Sequence, residues 1–323
     1  MFGFSVHGDS WKQYPMGGAN NGLTHIGMYS DPTPALLAKA KANNVTLVSV
    51  VGAPPPSDWP DAAKRAAWVN ATIADMLKRN LTGVSFDFEG NFLTKDQAAG
   101  MVALLKGLQE AVTAAVGPRG SVSVCVPGRP GYEMRNYPYA QLAAATDFLF
   151  VMSYDMEWWD DYTCKFTGWC SLACCPLPDA TKGVQEFLGA KWDVPPRKLV
   201  LGLPWYGIRY TRILGVPANE GEVDYSVILA MEGTRSFEPK SFTNIIKCPG
   251  ICKGVKSGTE VWYDDAKSLA PKYALARDNG LRGVGMWQAT SLDYTGTFQA
   301  ETDAMWAAIM NWKKNGTAGR RNK

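Results

Sequence analysis

The sequence has few of the features that would connect it to metals, nucleotides, nucleic acid or a bilayer. Its only two histidines, His7 and His25, are too few and too far apart for a histidine metal site. No Ser-His-Asp arrangement or glycine-rich phosphate loop stands out, so no metal and no cofactor are expected. The net charge is +3, no run of five or six like charges precedes the last few residues, and no apolar run is long enough to span a membrane. We therefore expect neither nucleic-acid nor membrane partners.

Cysteine, by contrast, is clustered. Four cysteines crowd one predicted loop: Cys164, Cys170, Cys174 and Cys175. Two more, Cys248 and Cys252, flank a Pro-Gly turn. Such clustering predicts disulfides formed in an oxidising compartment. The alternative is a zinc site made by the four loop thiolates, although their spacing matches no familiar zinc knuckle. Cys125 lies within an apolar strand and is predicted to be a buried free thiol.

Four N-x-[ST] sequons also favour the secretory pathway. They are candidate sites for N-glycans at Asn44, Asn70, Asn80 and Asn315. Met1 leads directly into "FGFSV", which reads as a strand, and no signal peptide precedes it. We expect that an upstream targeting segment is missing from this chain.

Short β-rich apolar runs alternate with helical patterns along the 323 residues. The eight strand candidates are Phe2–Val6, Thr24–Tyr29, Val45–Val51, Gly83–Glu89, Ser121–Val126, Phe148–Tyr154, Leu199–Trp205 and Gly283–Trp287. This alternation predicts an α/β fold, a single catalytic (β/α)₈ TIM barrel spanning residues 1–323. Such barrels need about 250 residues, so part of the surplus is expected as a small rim insertion at 208–262, between strands seven and eight. A doubly wound open sheet would require a glycine-rich loop after the first strand, and "HGDSWKQY" is not one.

The predicted fourth strand, "GVSFDFE", carries two acids in an otherwise apolar run. Because side chains alternate across a strand, the valine and two phenylalanines share one face, and Ser85, Asp87 and Glu89 share the other. The apolar face must meet the helices, so the acidic face points into the barrel, with Glu89 at the carboxyl end where barrel enzymes keep their active sites. Ionising both of two acids this close together costs electrostatic free energy, so one is expected to hold a proton and act as a general acid. The alternative is a structural ion pair, for which the strand itself offers no basic partner.

This strand resembles the D-G-x-D-x-D-x-E signature of family 18 glycoside hydrolases, the chitinase family. Thr82 replaces the Asp before the glycine, and Ser85 replaces the first Asp of the D-x-D-x-E core. Further motifs occur in strand order, since "FVMSYD", "LGLPWYG" and "GVGMWQ" resemble the family's sixth, seventh and eighth strands. The resemblance covers nearly the whole chain and is most like one branch, the lysosomal di-N-acetylchitobiases, which also lacks the first core Asp.

The resemblance implies a retaining, substrate-assisted mechanism whose groups can be assigned to residues here. Glu89 would protonate the departing glycosidic oxygen while the substrate's own 2-acetamido oxygen closes on the anomeric carbon, giving an oxazolinium ion. Asp87 would orient the acetamido group, Tyr154 would donate its hydroxyl to the acetamido carbonyl, and Asp155 would bind the distorted sugar. Trp287 would form the floor of the sugar site. Further substrate contacts are expected from Met152, Trp205, Tyr206 and Gln288.

Three functions remain open on the sequence. The first is a hydrolase of β-1,4-linked N-acetylglucosamine, acting on the chitobiose core of N-glycans or on chitin oligosaccharides, in the lysosome or as a secreted protein. The second is a catalytically silent chitin- or oligosaccharide-binding lectin, which Glu89 argues against and which Ser85 and Thr82 favour. The third is an endo-acting chitinase, which would need an open aromatic cleft.

Overall fold

Eight parallel strands close into a barrel in the order β1-β13-β7-β6-β5-β4-β3-β2, which confirms the predicted (β/α)₈ fold. The computed structural model describes residues 1–6, 10–17, 22–157, 171–213, 216–248, 250, 252 and 258–313. The barrel strands are β1 (Phe2–Ser5), β2 (His25–Met28), β3 (Thr46–Gly52), β4 (Gly83–Asp87), β5 (Ser121–Pro127), β6 (Phe148–Met152), β7 (Leu199–Pro204) and β13 (Gly283–Trp287).

Helices on the outside of the barrel connect these strands. Within the described ranges they are α1 (Pro34–Ala42), α2 (Ala62–Lys78), α3 (Lys95–Val116), α4 (Tyr139–Ala145), α5 (Leu177–Leu188), α6 (Tyr225–Ala230), α7 (Ala266–Asp278) and α8 (Gln299–Met310). Side-chain caps fix where several of them begin. Thr94 and Gln97 form a capping box at the start of α3, and Asp265 accepts hydrogen bonds from the first backbone N–H groups of α7.

Helix α3 is long and apolar enough, by length and composition, to cross a membrane. The expectation from the sequence that no apolar run is long enough to span a membrane was therefore too strict. In the fold, however, Met101, Leu104 and Leu108 of this helix are fully buried, and α3 contacts β5, α2 and α4. An outer helix of a barrel is expected to bury such an apolar face.

The barrel interior is filled by aromatic rings in its lower and middle layers. The ring centroid of Phe150 lies 5.2 Å from that of Phe2 and 5.0 Å from that of Phe4. A Cβ atom at Gly202 would lie 2.2 Å from the Phe150 ring, and one at Gly285 would lie 2.6 Å from it. Glycine at these two positions therefore makes room for Phe150, and little space is left in these layers for large polar side chains.

The predicted alternation along β4 is observed. Val84 and Phe86 belong to the apolar layer between barrel and helices, and neither is accessible to solvent. Ser85 lies in the interior, where its hydroxyl contacts side chains of β5. The last pairing of β4 with β3 is Asp87 with Gly52, so Glu89 lies two residues beyond the strand rather than at its end.

Between β7 and β13, where the sequence predicts an insertion at 208–262, the chain forms a separate antiparallel sheet. Its order is β10-β11-β12-β8-β9. The strands are β8 (Tyr206–Ile213), β9 (Val216–Asp224), β10 (Thr234–Glu238), β11 (Thr243–Cys248) and β12 (Thr259–Tyr263). Trp287 pairs with Pro204, the last residue of β7, and β8 starts two residues later, so the rim sheet lies directly beside the mouth of the barrel.

The cysteines are only partly as expected. Cys248 and Cys252 form the predicted disulfide, and Cys125 is a buried free thiol as predicted. The expectation of disulfides at Cys174 and Cys175 is wrong, because both are free and buried. Their thiols instead pack in the interior below the rim. The other two loop cysteines, Cys164 and Cys170, lie outside the described residues.

Three of the four sequon asparagines are on the described surface. Asn44 and Asn80 are exposed, and each follows the last turn of a helix with a left-handed φ, of 53° and 54°. Asparagine tolerates this conformation better than most residues, which gives these two positions a structural reason besides glycosylation. Asn70 is exposed within α2, and Asn315 lies outside the described residues.

A buried ion pair fastens the end of the rim sheet to the barrel helices. The Nζ atom of Lys272 on α7 lies 2.7 and 2.6 Å from the two carboxylate oxygens of Asp264, which directly follows β12. The two side chains are 0% and 2% exposed, and the Ser268 hydroxyl donates a further hydrogen bond of 2.6 Å to Asp264. Removal of one partner of such a pair leaves a buried charge without compensation.

We therefore expect Lys272→Met to lower the free energy of unfolding by about 3–5 kcal/mol, because the Asp264 carboxylate would stay buried without its cation. The measurement is chemical denaturation followed by circular dichroism. The control is Lys64→Met, which removes the exposed pair of Lys64 with Asp58 and should leave the denaturation midpoint almost unchanged. Equal midpoints for the two variants would show that the buried pair does not anchor the rim sheet.

Candidate active site

The sequence-predicted acids and aromatic residues meet at the mouth of the barrel, where β4, β6 and β13 end. Asp87 is the last residue of β4, and Trp287 is the last residue of β13. Tyr154 lies two residues beyond β6, on the same side as Met152, and both belong to the interior aromatic cluster that Trp287 also contacts. The carboxyl ends of parallel strands meet at one end of a barrel, which explains why distant motifs converge here.

The Trp287 ring forms an apolar wall at this mouth. Its centroid lies 5.2 Å from that of Phe4 below it and 5.7 Å from that of Tyr29 beside it. The side chain of Glu222, on β9 of the rim sheet, lies beside this ring. Tyr29 and Glu222 were not singled out from the sequence. Tyr29 had a signal, since it ends the predicted second strand, whereas nothing in the local sequence marks Glu222.

Asp87 has the most unusual electrostatic environment of the group. Burial first, and then the negative charge of Glu89, raise its pKa to about 6, although the Arg135 guanidinium and a hydrogen bond from the Cys125 thiol act in the opposite direction. Its Oδ1 atom is buried and has no hydrogen-bond partner among the residues that the structure describes. An unpartnered buried carboxylate oxygen is costly unless a ligand supplies the missing donor.

The proton of the acidic pair therefore lies on a different residue from the one expected. The sequence argument assigned it to Glu89, but the raised pKa is that of Asp87, because Asp87 is within the barrel mouth while the Glu89 side chain is 54% exposed. Below a pH of about 6, Asp87 is therefore protonated.

Glu89 is also paired with a cation, which the sequence argument did not find. Its Oε2 atom lies 3.1 Å from Nη1 of Arg135, and Nη2 of Arg135 lies 2.5 Å from Glu133. Arg135 is largely buried, so its position is well defined. It lies on the loop after β5, and this is why an inspection of β4 alone missed it. The structural ion pair considered as an alternative is thus present, but it leaves Asp87 without a direct cationic partner among the described residues.

Asp155 is held beside Tyr154 by contacts to the rim sheet. The Tyr206 hydroxyl donates a 2.6 Å hydrogen bond to Asp155 Oδ1, and the Tyr206 ring meets the Tyr154 ring edge-on at 6.3 Å. The backbone of Asp155 is left-handed, with φ of 52°, a conformation that aspartate adopts more readily than bulkier residues. Burial raises the pKa of Asp155. Burial also raises the pKa of Tyr154 well above its usual value, with further contributions from the neighbouring Cys125, Asp87 and Asp155. Tyr154 is therefore a neutral hydrogen-bond donor.

A small cavity of about 100 Å³ lies beside Glu89, Tyr154 and Asp155. Its walls include Glu89, Met152, Tyr154 and Asp155, together with Tyr132, Glu133 and Arg135. A larger cavity of about 580 Å³ lies between α7 and α8, but no carboxylate is among the residues that line it. Of the two cavities, only the first offers carboxylates for acid–base chemistry. In the part of the chain that the structure describes, no three His, Cys, Asp or Glu side chains are grouped to hold a metal ion.

Two predicted substrate contacts are not part of this site. Trp205 is completely buried on the outer side of the barrel wall, where its indole N–H donates a 2.9 Å hydrogen bond to Tyr273 and its ring meets Trp306 edge-on. Trp205 follows β7 at a position whose side chain points to the helices, so the prediction that it contacts substrate is wrong. Gln288 alternates with Trp287 and is 8% exposed, and its side-chain oxygen accepts a hydrogen bond from Thr290. Met152 and Tyr206, in contrast, lie at the site.

Comparison with known proteins gives a consistent result. Residues 8–292 match the sequence profile described as Glycosyl hydrolases family 18. The di-N-acetylchitobiase of Rattus norvegicus is 27% identical over 96% of this chain and 87% of its own length. The protein of the same name from Homo sapiens is 28% identical over 96% of this chain and 83% of its own length.

Solved structures share the fold at lower identity. A chitinase-like agglutinin from Robinia pseudoacacia superimposes with a TM-score of 0.72 at 21% identity, over 95% of this chain and 99% of that one. A plant class V chitinase mutant from Cycas revoluta, solved in complex with (GlcNAc)3, superimposes with a TM-score of 0.68 at 20% identity, over 96% of this chain and 98% of that one. An agglutinin and a chitinase thus share this architecture.

Proposed function

The chain belongs to glycosyl hydrolase family 18, and from this premise we propose that it hydrolyses β-1,4-linked N-acetylglucosamine with retention, using the substrate's own acetamido group as nucleophile. The substrates would be chitobiose-type cores of N-glycans or short chitin oligosaccharides. The name di-N-acetylchitobiase, carried by relatives that match nearly the full chain, supports the short substrate. The disulfide at Cys248 and Cys252 supports a route through the secretory pathway, with the lysosome or the cell exterior as destination.

One observation carries the proposal. Asp87 lies within electrostatic reach of both Glu89 and Tyr154, and its buried Oδ1 atom has no partner among the described residues. A second nucleophilic carboxylate is not needed if the amide N–H of a bound acetamido group donates to this oxygen. Asp87 would then hold the acetamido group in place and stabilise its positive charge as the ring closes.

The other groups take roles that suit their positions. The proton held on Asp87 would pass to the exposed Glu89 when the sugar binds, which leaves Asp87 as a carboxylate. Glu89 would then protonate the departing glycosidic oxygen, and the acetamido oxygen would form the new bond to the anomeric carbon as the glycosidic bond breaks. Neutral Tyr154 would donate its hydroxyl to the acetamido oxygen, and Asp155 would bind a sugar hydroxyl. Water would then attack the anomeric carbon of the oxazolinium ion from the face that the leaving group left, and the bond to the acetamido oxygen would break. Glu89 would accept the proton of this water. The Trp287 ring would receive the apolar face of the sugar.

We expect Glu89→Gln to reduce turnover of N-acetylated chito-oligosaccharides by about 10²–10⁴-fold, because the amide cannot supply the proton that the leaving oxygen needs. Sugar binding, measured by calorimetry, should persist. The matched control is Glu133→Gln, which makes the same chemical change on the other partner of Arg135 and should retain most of the activity. A Glu89→Gln enzyme that turned over at nearly the wild-type rate would remove Glu89 from this role.

Participation of the acetamido group has its own test. A thiazoline derived from N-acetylglucosamine mimics the cyclised intermediate and should inhibit competitively. Because two inversions at the anomeric carbon restore its configuration, a proton NMR time course should show the β-anomer as the first product. Indifference to the thiazoline, or an initial α-anomer, would contradict the proposed nucleophile.

A lectin function is the second candidate, favoured by the agglutinin that shares the fold and by Ser85 in place of the first core aspartate. Incubation with N-acetylglucosamine oligomers of increasing length, followed by mass analysis, separates the alternatives. We expect dimers and trimers to be cleaved. Binding without any product would establish the lectin, and cleavage confined to long oligomers at internal bonds would establish an endo-acting chitinase.

A further inference from the structure

A chain of small buried side chains lies beneath Asp87. The Ser123 hydroxyl donates a 3.1 Å hydrogen bond to the Ser85 hydroxyl, which lies 3.7 Å from the Cys125 sulfur. The register of β4 with β5, whose last pair is Phe86 with Val124, places Cys125 beside Asp87, so that its thiol lies within reach of the carboxylate. The two serines and the cysteine are between 0% and 1% exposed, so no water competes for these contacts.

A second thiol supports the other aspartate of the site. The backbone N–H of Asp155 donates to the Cys174 sulfur at 3.3 Å, and this sulfur lies 3.5 Å from Asp155 Oδ1. Cys174 is 2% exposed and lies below the rim sheet beside Tyr206, whose hydroxyl contacts the same carboxylate oxygen. Each aspartate at the mouth of the barrel thus rests on one buried sulfur.

We propose that Cys125 and Cys174 are positioning residues, neutral thiols that fix the carboxylates of Asp87 and Asp155 by one sulfur hydrogen bond each. The proposal rests on the roles given to the two aspartates in the proposed function.

The chemistry of the site favours thiols as donors here. Burial raises the pKa of both thiols well above the usual value, with the charges of Asp87 and Asp155 as the next contributions. Both sulfurs therefore stay protonated and can donate to an anion. A carboxylate at residue 85 would instead place a second negative charge next to Asp87 and would raise its pKa further. The neutral chain lets Asp87 ionise near pH 6.

Packing alone is the competing explanation, since a buried free cysteine often behaves as a small apolar residue. The chain contains another buried free cysteine that can serve as a control for packing effects. Cys175 is free and completely buried like Cys174, but the charges near it are those of Lys272 and Asp264 rather than those of the site. Its replacement should perturb packing to a similar extent without changing any hydrogen bond to Asp87 or Asp155.

The ionisation of Asp87 provides the readout. Besides burial, three groups influence the pKa of Asp87. Glu89, from its own loop, raises it. Arg135, from the loop after β5, and the neutral Cys125 thiol on β5 both lower it. Tyr29 and Tyr154 also respond to its charge but are neutral. Loss of the thiol donor therefore leaves the carboxylate less stabilised, and the pKa of Asp87 must rise.

The experiment is a carboxyl ¹³C NMR titration of the full chain labelled at aspartate, with the Asp87 signal assigned by its loss in Asp87→Asn. We expect Cys125→Ala to raise the midpoint of Asp87 by about half to one pH unit. Cys125→Ser, whose hydroxyl is a stronger donor, should titrate at or below the wild-type midpoint, and Cys175→Ala should match the wild type. Equal midpoints for Cys125→Ala and the wild type, or a rise in Cys125→Ser equal to that in Cys125→Ala, would overturn the assignment.

The same spectra test Cys174. Asp155 is influenced by Glu89, by the Tyr206 hydroxyl and by this thiol, whose hydrogen bond lowers the pKa of Asp155. We expect Cys174→Ala to raise the midpoint of Asp155 and Cys174→Ser to restore it, while an unchanged midpoint in Cys174→Ala would refute a positioning role. Should an alanine variant fail to fold, the serine variant still decides, because a midpoint above that of the wild type contradicts the proposal.

This readout needs neither substrate nor turnover, so the two proposals can fail separately. An active Glu89→Gln enzyme would refute the proposed function and leave the titration result standing. Unshifted aspartates in the cysteine variants would refute the thiol contacts and leave the glycosidase mechanism standing.

Discussion

The strict alternation of side chains along each barrel strand, between a closed interior and a ring of helices, is the constraint on which the site depends. The interior is so filled by Phe2, Phe4 and Phe150 that two strands must carry glycine beside these rings. Charged side chains of inward parity therefore lie near the mouth. Burial there is sufficient to raise the pKa of Asp87.

Much of the fold follows from the sequence because its signals are periodic and repeated. All eight barrel strands lie where apolar runs predict them, and the parity of β4 correctly separates Val84 and Phe86 from Ser85 and Asp87. The strand ends are less accurate, since β4 stops at Asp87 when its pairing with β3 ends. Alternation gives the face of a residue but not the point at which a neighbouring strand ceases to pair.

The site was harder to predict wherever it depends on contacts between distant segments. Arg135 reaches Glu89 from a different loop, and Glu222 reaches Trp287 from the rim sheet, so neither contact has a local signal. Trp205 shows the opposite error, because a tryptophan beside a motif suggested a sugar contact while its parity directs it to the helices. The loop cysteines misled for a related reason: clustering in sequence suggested a covalent bond for Cys174, whose partner is instead a carboxylate of the site.

Trp205 nevertheless has a connection to the site through its main chain. Its backbone N–H donates a 2.6 Å hydrogen bond to the carbonyl oxygen of Trp287. Its side chain packs between Tyr273 of α7 and Trp306 of α8. The Trp287 wall is thus linked, through this peptide hydrogen bond, to the outer helical shell. Substitutions on the remote side of those two helices can therefore shift the Trp287 ring, with no exchange of any residue at the mouth of the barrel.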